Sequence, residues 1–99
     1  MPNNILKWIE NWYKDQCDED WEHSYGIKIE TLDNPGWLIH IDLINTSLEN
    51  DNLDFTTTKK DENDWYWSKI GNNVFIAVGD PDKLSMLLEL FKQFVEEMG

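Results

Sequence analysis

The chain has 99 residues, 20 of them Asp or Glu and 8 Lys, with no Arg, so its formal net charge is −12. Such a balance leaves no basic footprint for phosphates, which excludes nucleic-acid binding and disfavours an anionic membrane surface. A single cysteine, Cys17, excludes an internal disulfide and a cysteine-rich zinc site.

Residues 3–16 read as an amphipathic helix. Ile5, Trp8, Ile9, Trp12 and Tyr13 recur at helical spacing, Lys7, Glu10, Asn11, Lys14 and Asp15 fill the other face, and Pro2 with Asn3-Asn4 suits a helix start. Cys17 to Ser24 is polar apart from Trp21 and reads as a loop. Tyr25 to Leu32 alternates as a half-buried strand, and so does Trp37 to Leu43, where His40 and Asp42 face away from the apolar set. Between them, Asp33-Asn34-Pro35-Gly36 predicts a type II turn with Pro and Gly at its centre.

From Asn45 to Asp64 the spacing leaves two options for Leu48, Leu53 and Phe55: a short third strand, or the anchors of a long loop. Lys59 to Asn63 reads as a solvated turn. Trp65 to Ile70 reads as a strand with Trp65 and Trp67 on one face and Tyr66 on the other, one of which stays uncovered. Gly71-Asn72-Asn73 is a turn, and the apolar, β-branched Val74 to Val78 suits a central strand. Asp80 as N-cap and Pro81 at the first helical position predict a helix to about residue 98, with the stripe Leu84, Leu87, Leu88, Phe91, Phe94, Val95 and Met98.

Strands joined by short turns run antiparallel. The fold expected is α+β: a four- to five-stranded antiparallel meander sheet with the N-terminal and C-terminal helices packed on one face, as one domain over residues 1–99. A mean hydropathy of −0.61 with high net charge is compositionally close to disorder, but six Trp and the periodic Ile and Leu supply a core.

The densest polar cluster is Asp15 to His23, with five acids and no Lys in residues 15–22. It admits three readings. Cys17, His23 and the neighbouring carboxylates are ligand types for a metal, or a nucleophile and base for catalysis, though the spacing matches no strong zinc or calcium pattern and no oxyanion loop accompanies it. The same acids beside aromatics suit an acidic docking face for a basic partner. In a purely structural reading, Gln16 to His23 packs under the sheet and fixes the first helix.

The residues Leu6-x-Trp8-Ile9-x-x-Trp12-Tyr13, then Gln16-Cys17-Asp18-x-Asp20-Trp21-Glu22-His23-x-Tyr25-Gly26-Ile27, Thr31 to Trp37 and Asp64-Trp65 resemble the immunity protein 53 family of bacterial polymorphic toxin systems. The resemblance covers nearly the whole chain, and its specific part is Gln16 to Trp37. Two positions depart from it: Glu19 stands where a small residue such as Gly is expected, and Gly79-Asp80-Pro81 where a Gly-Gly-Pro-like turn is. The resemblance implies a cytoplasmic antidote that binds and neutralises a cognate toxin domain, and it transfers no binding or catalytic residues.

Together these readings predict a binding protein and not an enzyme, with no cofactor, no metal, no nucleic-acid or membrane partner, and a monomeric or weakly dimeric state. The toxin, a role that a basic nuclease would suit, would be occluded by Asp18, Glu19, Asp20, Glu22 and Asp33, with Trp21, Trp37 and Tyr66 as aromatic anchors. The alternative is a small metal-binding protein or enzyme using Cys17 and His23.

Overall fold

The computed structural model describes residues 4–49 and 55–98. Their elements are α1 (Ile5–Gln16), α2 (Trp21–Ser24), β1 (Ile27–Leu32), β2 (Gly36–Asp42), β3 (Phe55–Lys60), β4 (Trp65–Gly71), β5 (Val74–Gly79) and α3 (Leu84–Met98). α1 starts where Asn4 Oδ1 accepts the Lys7 N–H at 3.0 Å, a side-chain cap for one of the orphan donors of the first turn. It buries Ile5, Ile9 and Trp12, one per turn.

The five strands form one antiparallel sheet in the order β1-β2-β5-β4-β3. The α+β class and the pair of terminal helices are as expected. The meander, however, is continuous only from β3 to β5, because β5 inserts beside β2. The reason lies in β5 itself: Phe75 and Ala77 are buried on one face while Val74, Ile76 and Val78 are half-buried on the other. A strand apolar on both faces belongs in the middle of a sheet and not at its edge. The connection after β2 then has to pass three strand positions, about 14 Å, to begin β3. Leu48 is one anchor of this connection, fully buried in the core, and Phe55 opens β3; Leu53 lies outside the described residues.

Register decides which side chains share a face. Ile39 and Ile41 align with Ala77 and Phe75, and these with Ser68 and Ile70. This face meets the helices: Phe91 of α3 packs on Phe75 with ring centroids 5.1 Å apart and on Trp12 of α1 at 4.9 Å. Leu87, Leu88 and Phe91 are completely buried, so the apolar stripe read in α3 is core. On the other face a row runs Glu30, Leu38, Val78, Trp67, Thr58, and among the described residues no helix lies over it.

The hairpin ends differ from each other. Asn72 and Asn73 both adopt positive φ, 55° and 61°, between the paired residues Gly71 and Val74, as a two-residue type I′ turn requires. At the β1–β2 end the predicted type II turn is not formed. It needs positive φ at its second central residue, but Gly36 is already in β2 and none of the described glycines has positive φ. Gly36 is required for another reason. A Cβ there would stand 2.5 Å from the Gly79 carbonyl oxygen and 3.3 Å from the Trp65 ring. Gly36→Ala is therefore expected to lower unfolding free energy by about 1–3 kcal/mol in urea denaturation, since backbone and a packed indole must both shift.

Candidate functional site

The strands place the residues of interest at two opposite ends of the sheet, roughly 20 Å apart for strands of this length. The lower end holds the acidic segment between α1 and β1. This segment is not the loop expected from its polarity; it contains the single helical turn α2. Asp18 Oδ1 accepts the N–H groups of Asp20 and Trp21 at 3.0 and 2.9 Å. Glu22 reaches back to accept the N–H groups of Asp18 and Glu19 at 3.0 Å. The two carboxylates thus tie the backbone of residues 18–21 together at the entry to α2. The backbone donors of Trp21 and Asp20 hold the Asp18 carboxyl below the usual carboxylate range. Between these two residues Glu19 has φ 78°, the left-handed region that favours glycine, which accounts for the small residue expected there.

Trp21 lies inside the protein, 1% exposed, and its indole Nε1–H donates to the Ile44 carbonyl at 2.8 Å. Its ring meets Trp12, Tyr13 and Tyr25. Trp21 therefore fastens the acidic segment to α1 and to the connection after β2, as the structural reading has it, and presents no face to a partner. Cys17 ends α1, half-buried, with its thiol donating to the Tyr13 carbonyl at 3.3 Å. His23 is exposed on α2. Among the described residues no group of three or more His, Cys, Asp or Glu side chains is placed to hold a metal ion.

The upper end gathers the β1–β2 turn, the β3–β4 turn and the β5–α3 connection. Asp80 organises it. The sequence pattern makes Asp80 the N-cap of the last helix, with Pro81 its first residue, but α3 starts at Leu84. Asp80 instead turns a carboxylate that is almost completely buried toward three donors: Trp65 N–H at 2.9 Å, Lys83 Nζ at 2.8 Å and Asp82 N–H at 2.9 Å. Lys83 Nζ also contacts Asp64 Oδ1 at 2.6 Å. The Lys83 ammonium, followed by the backbone donors, lowers the Asp80 pKa to about 2, and its two carboxylate partners raise that of Lys83.

Trp37 and Tyr66 flank Gly79 in one row of the helix-bearing face, half-buried against the core, and Trp37 Nε1 donates to the Pro81 carbonyl at 2.9 Å. Asp33 is exposed at the tip of the β1–β2 turn. On the opposite, uncovered face Trp65 lies over Gly36. An open groove of about 780 Å³ runs there between Asn34 and Lys60, with Trp65 and Trp67 along it and Asp61 and Glu62 at its rim. The Asp61 N–H donates to the Asp64 carbonyl at 3.1 Å, which closes the turn and leaves both rim side chains exposed.

The sequence-derived acids and aromatics are thus split. Asp18, Glu19, Asp20 and Glu22 stand at the lower end, Asp33, Trp37 and Tyr66 at the upper. Tyr66 also lines the groove, whereas its other residues Trp65, Trp67, Asp61 and Glu62 were not among the sequence-derived ones. A signal for the first two was present: alternation puts Lys69 with Trp65 and Trp67, and Ser68 and Ile70 away from them, so the face with the lysine is the solvent face.

Fold and surface together define a small acidic α+β domain with an open, partly apolar sheet face, and no helix among the described residues is long and apolar enough to cross a membrane. The immunity protein 53 family matches residues 6–96, and the chain belongs to that family. No curated protein and no solved structure matches it.

Two measurements probe the two ends. Trp21→Ala is expected to cost about 3–5 kcal/mol in urea denaturation, as truncation of a buried aromatic does; near-normal stability would contradict its place in the core. Asp80 has a depressed folded-state pKa, so its stabilising contribution is complete above the unfolded value near 4 and is lost as pH falls toward about 2. Asp80→Asn is expected to unfold more readily than the parent at pH 7, and the difference should close over that acid window. A difference constant with pH would show that the carboxylate is not held as described.

Proposed function

We propose that this protein is an immunity protein that binds a cognate bacterial toxin domain in the cytoplasm and neutralises it by occluding its active site. Family membership over residues 6–96 carries the reading, and the net charge of −12 without a single Arg supports it. Many phosphate-cleaving toxins carry basic clefts, and an acidic surface covers such a cleft with matched charge. The mechanism is binding and not catalysis: carboxylates steer association and aromatic side chains anchor the complex.

Of the acidic residues singled out in the sequence, Glu19, Asp20 and Asp33 are exposed and free to act in steering. Asp18 and Glu22 have their carboxylates engaged by the backbone N–H groups of residues 18–21, which leaves less of their charge for a partner. Trp37 and Tyr66 each keep a half-buried ring at the upper end, whereas Trp21 is withdrawn into the core.

Co-expression with the toxin domain encoded beside its gene is expected to restore growth. The association rate of the purified pair should fall about tenfold or more from low to high salt, the mark of electrostatic steering. Tight binding with a rate unchanged by salt would remove acidic docking; failure to bind and to protect would remove the toxin-binding function.

A further inference from the structure

We propose that the uncovered sheet face beside the β3–β4 turn seats a lysine- or arginine-bearing segment of the toxin domain, its apolar stem on Trp67 and Trp65 and its charge against Asp61 and Glu62. This rests on the toxin-binding reading and names the surface and the chemistry that it takes.

Three observations lead there. The first is apolar surface without cover. Leu38, Val78 and Trp67 are neighbours across three strands on the face that neither helix touches, and each is only half-buried. A solvated sheet face ordinarily alternates to polar residues, and a contiguous apolar row marks a contact surface.

The second is the charge at its rim. Asp61 and Glu62 are exposed at the groove, and among the described residues neither joins an ion pair. The lower-end carboxylates Asp18 and Glu22, in contrast, are already satisfied by backbone N–H groups. Lys60 borders the same groove, so two carboxylates face one ammonium and one negative charge is in excess. That favours a single placed cation and not a polybasic run.

The third is rigidity. Trp65 is held by its backbone on the Asp80 carboxylate and by its ring over Gly36. An indole fixed in place loses little entropy on binding, and its face attracts a cation. Trp beside carboxylates therefore suits Arg or Lys, whose aliphatic stem covers the ring while the head reaches the acids.

The test uses the toxin domain encoded beside the gene and the full chain, with affinity and association rate measured across a salt series. Trp67→Ala is expected to weaken binding about 30-fold or more, as loss of a central aromatic anchor does. Asp61→Asn with Glu62→Gln, two exposed changes that leave folding intact, should slow association several-fold, by roughly 3–10 times, and flatten its salt dependence. Glu19→Gln with Asp20→Asn, at the far end, should leave the affinity at high salt, where long-range steering is screened, within about twofold of the parent.

Parent protein that binds tightly while Trp67→Ala and the Asp61/Glu62 pair bind equally well would overturn this surface and leave the antidote function standing. Loss of affinity in Trp67→Ala alone, with rate and salt slope unchanged in the acid pair, would overturn the cationic occupant. A parent protein that neither binds nor protects removes both the function and this surface.

Discussion

Asp80 sits at the end of β5 with its carboxylate inside the protein, and three chain segments converge on it. Its two oxygens accept from the first residue of β4, from the residue two positions on, and from the Lys83 ammonium, which also bridges to Asp64 before β4. A buried carboxylate is stable only when its lone pairs are taken up, and here three donors supply that compensation. The consequences spread outward. β4 must start beside the end of β5, α3 must leave the sheet over Gly79, where a Cβ would stand 2.8 Å from Lys83 Cβ, and Trp65 is set down over Gly36. The glycines at 36 and 79 are thus two sides of one constraint: backbone brought close so that an indole packs on one face of the sheet and a helix on the other.

That constraint divides the molecule into two faces with different chemistry. One carries Ile39, Ile41, Ile70, Phe75 and Ala77 under Phe91 and Trp12, each of these five strand residues at most 2% exposed. The other mixes Leu38, Val78 and Trp67 with Lys28, Glu30, His40 and Lys69. Burying the second face would require covering those charges, so the fold leaves it open. The acids are also divided. At the lower end Asp18 and Glu22 hold local backbone together around α2; the exposed Asp61 and Glu62 at the β3–β4 turn do not. Composition alone assigns both groups the same role, and only hydrogen bonding separates them.

Much of this was legible in residue order. Period 3.6 in Ile5 to Trp12 and in Leu84 to Phe94, and period 2 on either side of Asp33 to Pro35, locate both long helices and the first hairpin, and Asn72-Asn73 marks the turn of the β4–β5 hairpin directly. What escaped were features set by distant partners. The place of β5 depends on β2 accepting it across a long connection. Asp80 looks like an N-cap because Asp-Pro usually is one, but the nearest unsatisfied donors belong to Trp65 and Lys83, and they win. Trp21, amid five acids, looks exposed by its neighbours in sequence; its ring is buried by Trp12, Tyr13 and Tyr25, and by a hydrogen bond 23 residues away. The small residue expected at position 19 was a backbone signal in disguise, explained once φ there is seen to be positive.

For an inhibitor, the separation of charge from aromatic anchoring has a kinetic meaning. Long-range charge raises the rate of encounter and is sensitive to salt, whereas desolvated aromatic contact governs how long the complex lasts. An antidote must do both, because each toxin molecule captured late or released early acts on the cell. In this fold the two functions need not compete for the same residues. Exposed carboxylates stand at both ends, while Trp65 is fixed by Gly36 and the Asp80 carboxylate and Trp67 by the β-ladder, so in the proposed complex charge and anchoring fall to different side chains. The buried carboxylate that orders the upper end thereby also sets the backbone of Trp65 at the proposed surface, so one set of hydrogen bonds holds the fold and that indole in place.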